Sequence, residues 1–212
     1  MIRGGLPYCR GRRKRALDLV LAAPALLLLA PLLLLIAVAV RVSMGPPVLF
    51  RHERIGRDGR PFRLLKFRSM RPSPPDSAAI TSAGDPRITP AGRLLRRTKL
   101  DELPQLFNVI RGEMSLVGPR PEVPRYVQRY TPEQRRVLDV PPGLTDPASL
   151  CYRDEEAILG RVREADRERY YVEELAPRKI ALSLAYITEA GIGADLKVML
   201  RTGLAVLGLS PR

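Results

Sequence analysis

From Leu19 to Val40 the chain reads LVLAAPALLLLAPLLLLIAVAV without one charged side chain. As a helix rising ~1.5 Å per residue it would reach roughly 33 Å, about the thickness of a bilayer's hydrocarbon core. Beyond it the pattern shortens. Val48 to Arg54 and Phe62 to Arg68 have the β-branched and aromatic content of short strands, and Asp58-Gly59 between them predicts a hairpin. Thr89-Pro90 opens a helix to about Lys99, with Thr as N-cap and Pro in the first turn. Leu103, Leu106, Phe107 and Ile110 form the apolar stripe of a second helix over Leu100 to Gly112. Thr131 to Val137 begins with another Thr-Pro helix start, and Pro141 to Pro147 is an extended turn before Ala148 to Arg153. The densely charged Asp154 to Glu174, then Pro177 to Glu189 and Asp195 to Leu207, read as helical, the last two able to pack on a core or lie on a membrane. Arg71 to Pro86, rich in Pro, Ser and Ala, is expected to be a mobile loop.

Two prolines interrupt the apolar run. Pro24 and Pro31 each remove a backbone donor and displace the carbonyl four residues back, so the helix is expected to bend. Arg10, Arg12, Arg13, Lys14 and Arg15 precede the run, and Arg41, Arg51, Arg54 and Arg57 follow it, which leaves the positive-inside rule without an asymmetry. A re-entrant anchor that bends and leaves on its entry face satisfies both ends, and an ordinary single span is the other reading. The re-entrant form predicts the N-terminus and the soluble part on one side. A cleaved signal peptide fits poorly, because the run is long and no small-x-small site follows it. Asp18 would sit at headgroup depth beside Lys14 or Arg15. The expected architecture is α+β: a Pro-bent membrane helix, re-entrant or spanning, in residues 1–45 and a mainly helical cytosolic domain with a small β-hairpin in residues 46–212.

Charge narrows the partners. The chain has 212 residues, 36 Lys and Arg against 22 Asp and Glu, and a net charge of +14. Such an excess favours anions, and beside a hydrophobic anchor, membrane lipid headgroups and phosphates fit better than nucleic acid. Aromatic residues make up 5% and Trp is absent, which leaves few platforms for stacking bases. Cys9 and Cys151 are far apart, so neither a disulfide framework nor a zinc site is indicated, and the soluble part is expected to face the cytosol. His52 is the one histidine, which excludes Ser-His-Asp and multi-histidine metal chemistry. Catalysis would then rest on carboxylates, cations and a hard metal ion.

Asp101 and Glu102 open the second predicted helix, where capping of free amides alone explains an acidic pair. The same setting would hold Asp101 ionised and draw a phosphate, as a carboxylate nucleophile attacking a phosphate ester needs. Lys66 and Arg68 can share one side of a strand, either as a solvated basic face or as ligand contacts. Arg93, Arg96, Arg97 and Lys99 make a short cationic helix, and Arg120 is held between Pro119 and Pro121, where its guanidinium fork can clamp a phosphate.

KFRSM, LDELPQL, SLVGPRP and a Pro-Gly-Leu-Thr turn occur in order behind the anchor. With them the chain resembles the bacterial sugar transferases, specifically the small monotopic polyprenol-phosphate phosphoglycosyl transferases, over roughly residues 12 to 205. The resemblance implies an enzyme on the cytoplasmic face of the bacterial inner membrane. It would move a sugar 1-phosphate from a UDP-sugar to a polyprenol phosphate, release UMP, use Mg²⁺, and start glycan or exopolysaccharide assembly. It implies further that Asp101 forms a phosphosugar-aspartyl intermediate and Glu102 binds the metal, with Lys66, Arg68, Arg96, Arg120 and Arg153 as phosphate or nucleotide contacts. Self-association as a homodimer would be in keeping. The chain departs from the family's pattern at Ala30-Pro31, where a Ser-Pro pair usually sets the bend, and Pro24 is an added break. Asp154 follows Arg153 where the family carries asparagine, and Glu168 is a candidate for a later acidic residue. The competing reading is a non-catalytic basic adaptor on anionic lipids, in which the Asp-Glu pair only caps a helix.

Overall fold

The computed structural model describes residues 5–71, 85–206 and 208–209. A short helix α1 (Leu6–Cys9) leads into α2 (Arg12–Met44), which is continuous through both Pro24 and Pro31 and is long and apolar enough to cross a membrane. Its buried residues, Lys14, Asp18, Ala22, Ile36 and Val40, line one face. The opposite face exposes Val20, Leu27, Leu28, Leu34, Leu35 and Val42. One side of the helix therefore lies along the rest of the protein and the other is an uncovered apolar stripe.

Both ends of α2 are tied to the same body. Near the start, the Arg15 guanidinium donates to the carbonyls of Val109 and Ile110, the latter at 2.7 Å. At the far end, Arg68 donates to the carbonyls of Met44, Gly45 and Pro46. Apart from Val109 O, which also accepts from Gly112 N, these carbonyls at or just past a helix C-terminus take their hydrogen bonds from the two arginines.

Strand β1 (Leu49–Ile55) pairs antiparallel with β2 (Pro61–Phe67), Leu49 opposite Phe67 and Arg54 opposite Phe62. The connecting turn places Asp58 and Gly59 at φ 57° and 74°, left-handed values that Asp and Gly tolerate, as the hairpin signal predicted. Helix α3 (Pro90–Arg97) starts as expected, with Thr89 Oγ1 accepting from Gly92 N at 3.0 Å. Most of the loop expected over Arg71 to Pro86 lies outside the described residues.

The second predicted helix is divided. Leu100–Glu102 form a single 3₁₀ turn, and α4 (Gln105–Arg111) starts only after Pro104, ending at Gly112 with φ 83°. Proline cannot donate into the preceding turn, so it separates the two. Asn108 docks α4 on β2: its Oδ1 accepts from Leu65 N at 3.1 Å and its Nδ2 donates to Arg63 O at 2.9 Å.

Strand β3 (Ser115–Val117) follows, then α5 (Pro124–Val127) and a 3₁₀ turn Gln134–Asp139 where a helix from Thr131 was expected. Thr131 and Gln134 still form the reciprocal cap of a helix start. The stretch expected as an extended turn contributes β4 (Gly143–Thr145), parallel to β3. The strands pass close enough that a Cβ on Gly143 would lie 2.1 Å from Gly118 N.

Helix α6 (Pro147–Cys151) comes next, and the charged region expected to be helical divides into α7 (Glu155–Gly160), a 3₁₀ turn, α8 (Arg167–Tyr170) and a π-turn Tyr171–Leu175. Helices α9 (Ala176–Glu189) and α10 (Ile192–Val206) close the chain near their expected limits. The fold is mixed, mostly helical, with the predicted hairpin and an unpredicted parallel pair.

The main core joins Ala22 of α2 to Leu106, Val109, Met114, Val117 and Ile187, and a second joins Ile36 and Val40 to Phe67 and Leu95. Burial of side chains the size of Ile36 and Val40 stabilises by about 1.5–3 kcal/mol each, so one face of α2 belongs to the domain's core. Its polar clamp is equally buried: Lys14 lies 3.1 Å from Asp18 and 2.8 Å from Asp195, while Asp18 also accepts from Ser115 Oγ and Leu116 N. Asp18 does pair with Lys14, and both side chains are enclosed by protein.

Candidate active site

The 3₁₀ turn before α4 presents Asp101 and Glu102. Lys99 enters it at φ 58°, a left-handed conformation that costs a side-chain-bearing residue energy and turns the next residues inward. Neither acidic side chain caps a helix: no side-chain hydrogen bond closes the turn, and α4 begins from Pro104 without one. Capping therefore does not account for the pair.

Both face a cleft of about 1010 Å³ bounded by β1 and β2, residues 119–123 and α5, α6, α7 and α10. Glu102 sits between two cations. Lys66 Nζ stands 2.7 Å from Glu102 Oε1, and the Arg120 fork reaches both oxygens, one at 3.3 Å. Burial alone would raise the Glu102 pKa, but Arg120 and Lys66 together hold it well below the ordinary carboxylate value. Asp101 differs. It is 5% exposed, its Oδ1 is buried with no hydrogen-bond partner, and burial pushes its pKa up against the pull of Lys66. Two neighbouring carboxylates thus differ in kind, one held by ion pairs and one, in a residue that lines the cleft, keeping an oxygen without a hydrogen-bond partner.

Arg96 and Arg153 line the same cleft, Arg96 paired with Glu156 across it and Arg153 donating to Ala205 O at 3.1 Å. Lys66, Arg96, Asp101, Glu102, Arg120 and Arg153 are therefore brought together. Arg68 is not. It is 8% exposed, turned to the end of α2, with its donors directed to backbone carbonyls. Glu168 lies outside the cleft, near Arg125 and Arg129.

Sequence reasoning passed over several cleft residues: Arg54 and Glu122, paired at 3.2 Å, Tyr171, whose hydroxyl donates to Glu122, and Lys179, 2.6 Å from Glu155. Glu122 directly follows the Pro-Arg-Pro motif, which was the one signal available. The rest depend on tertiary contacts.

Hard divalent ions such as Mg²⁺ are held by one or two carboxylates, the remaining ligands being water and phosphate oxygens. The unpartnered Asp101 Oδ1 beside Glu102 fits that donor set. Among the described residues no group of three or more His, Cys, Asp or Glu is placed to hold a metal, so phosphate and water would have to complete the shell.

A long apolar helix laid along a small mixed domain, together with a cleft that sets two carboxylates among cations, points to a membrane-associated protein suited to phosphorylated ligands. The sequence pattern of the family described as Bacterial sugar transferase matches residues 9–208, and the chain belongs to that family. It is 37% identical over 198 residues to a UDP-glucose:undecaprenyl-phosphate glucose-1-phosphate transferase of Escherichia coli, covering 89% of this chain and 39% of that protein. A protein of the same name from Caulobacter vibrioides is 43% identical, covering 90% and 68%. The exopolysaccharide production protein ExoY of Rhizobium meliloti is 36% identical, covering 92% and 86%. The chain thus spans about two fifths of the Escherichia coli relative and most of ExoY.

Proposed function

We propose that the protein transfers a sugar 1-phosphate from a UDP-sugar to a polyprenol phosphate through a covalent intermediate on Asp101. The observation that carries this reading is the unpartnered, buried Asp101 Oδ1 beside the Lys66–Glu102–Arg120 cluster. An Asp101 oxygen attacks the β-phosphorus, the bond from that phosphorus to the bridging oxygen breaks, and UMP leaves with the electron pair. A phosphate oxygen of the polyprenol phosphate then attacks the same phosphorus and frees the carboxylate. Lys66 and Arg120 face the charge that accumulates during both steps, and Arg96 and Arg153 are placed to hold the nucleotide phosphates. Glu102 would hold Mg²⁺, which when bound supplies charge neutralisation on the transferring group. With one carboxylate as relay, the soluble and lipid substrates need never be bound together.

The names of the relatives support a UDP-sugar donor and an undecaprenyl-type acceptor. A monotopic, re-entrant anchor is favoured by the two arginine ties, because a single span would place Arg15 and Arg68 contacts at opposite bilayer surfaces. The catalytic domain would then face the cytoplasm at the inner membrane. The adaptor reading loses ground, since the capping bonds it requires are not made.

Detergent-solubilised protein with Mg²⁺ should release UMP from at least one member of a UDP-sugar panel. Without acceptor, mass spectrometry should find a sugar-phosphate adduct on the peptide containing Asp101. No adduct and no UMP across the panel would end the proposal.

A further inference from the structure

Arg120 is held by a loop that is poor in means of fixing itself. Pro119 and Pro121 have no N–H, so the backbone there is anchored chiefly through its carbonyls. Pro119 O accepts from Gly143 N at 2.8 Å, Pro121 O from Arg54 Nη1 at 3.1 Å, and Glu122 O from Ile55 N at 2.9 Å. The Arg54 tie depends in turn on where its guanidinium is aimed. Glu122 aims it, with Oε1 3.2 Å from Arg54 Nη1.

The same carboxylate collects two more donors. Oε1 accepts from Val123 N at 2.7 Å, and Oε2 accepts from the Tyr171 hydroxyl. Tyr171 is buried at the first residue of the π-turn, a wide turn often found beside functional sites. Three separately placed elements, β1, the Pro-Arg-Pro loop and the π-turn, therefore converge on Glu122. None of these contacts includes Asp101 or Glu102.

Resting on the transferase reading above, we infer that Glu122 is a positioning residue, which fixes Arg120 against Glu102 by holding Arg54 and Tyr171 around the Pro-Arg-Pro loop. Burial lowers the Arg54 pKa, and Glu122 is the neighbour that chiefly counters this. Without the negative charge, Arg54 keeps only Pro121 O and the His52 ring as hydrogen-bond partners, and its hold on the carbonyl one residue from Arg120 loosens.

The test uses the full chain in detergent, with Glu122→Gln, Tyr171→Phe, and Glu122→Gln combined with Arg120→Lys. At a temperature well below melting, Glu122→Gln should lower kcat on the order of tenfold to a hundredfold, as sub-ångström misplacement of a charge-stabilising group does, with little change in KM for the UDP-sugar. Tyr171→Phe should act in the same direction with a smaller loss. The double variant should lose little beyond Arg120→Lys alone, since both changes act through one guanidinium. An activity-free readout accompanies these: dicarbonyl labelling followed by mass spectrometry should increase at Arg120 in Glu122→Gln while Arg96 is unchanged. Unaltered kcat, losses that multiply in the double variant, or unaltered Arg120 labelling would overturn the inference. Wild-type protein that releases no UMP would instead fail the transferase reading, and the labelling would still decide on Glu122.

Discussion

Lys66 Nζ and Glu102 Oε1 lie 2.7 Å apart, joining the second strand of the hairpin to the turn that carries Asp101. The contact fixes the ionisation of Glu102 as well as its place. A carboxyl whose folded pKa is depressed contributes stability above its unfolded value, and that stability is lost as pH falls through the folded pKa. For Glu102 the loss therefore falls well below the ordinary value of 4.5. In Lys66→Met burial acts against Arg120 alone, so the acid side of both the melting and the activity profiles should move to higher pH. Activity at neutral pH should fall on the order of a hundredfold, as for removal of one charge-stabilising donor. Thermal melts and UMP release between pH 3 and 8 would check this.

Asp101→Asn separates catalysis from stability with opposite signs. Burial raises the folded pKa of Asp101 above the ordinary 3.8, so its contribution is favourable at low pH and lost as pH rises through the folded value. At neutral pH the charge opposes folding. The amide should therefore leave the melting temperature unchanged or higher, while UMP release falls on the order of 10³-fold or more. A capping aspartate would instead cost about 1 kcal/mol on substitution. Calorimetry and UMP release on one preparation distinguish the two.

Local chemistry explains why much of this was legible in sequence. Thr89-Pro90, Asp58-Gly59 and the apolar stripe of α4 predict structure because the bonds they form lie within a few residues. The pairing of β3 with β4 joins Ser115 to Gly143, and three-residue strands carry no readable alternation. Arg68 shows the same limit within the site. It lies two residues from Lys66, yet Lys66 turns to Glu102 and Arg68 to the end of α2. Strand periodicity suggested a shared side, but Arg68 is just past the end of β2, where that periodicity no longer holds.

The placement of Arg68 predicts a stability phenotype. Arg68→Ala leaves the carbonyls of Met44, Gly45 and Pro46 without their donor, and should cost about 1–3 kcal/mol. For a chain of this size each kcal/mol lowers the melting temperature by about 2–4 °C. The KM for UDP-sugar should be unchanged in protein that remains folded. A raised KM at unaltered melting temperature would return Arg68 to the phosphate contacts.

The two arginine ties at the ends of α2 make topology measurable. If Arg15 and Arg68 hold both ends to one domain, residues just before the helix and residues of the domain share a membrane face. The native cysteines cannot both report this. Cys151 is exposed, but Cys9 is buried in the main core, and burial pushes its thiol up to about 11, where little thiolate forms. The reporter at the N-terminal end should therefore be placed at Arg10, whose side chain is 46% exposed. In sealed inverted inner-membrane vesicles, an impermeant maleimide should label Cys151 of the wild-type chain and, in a Cys151→Ser background, the cysteine of Arg10→Cys, both without detergent. Labelling of Arg10→Cys only after the vesicles are opened would mean that the helix crosses the bilayer, and the two arginine ties could not then form together.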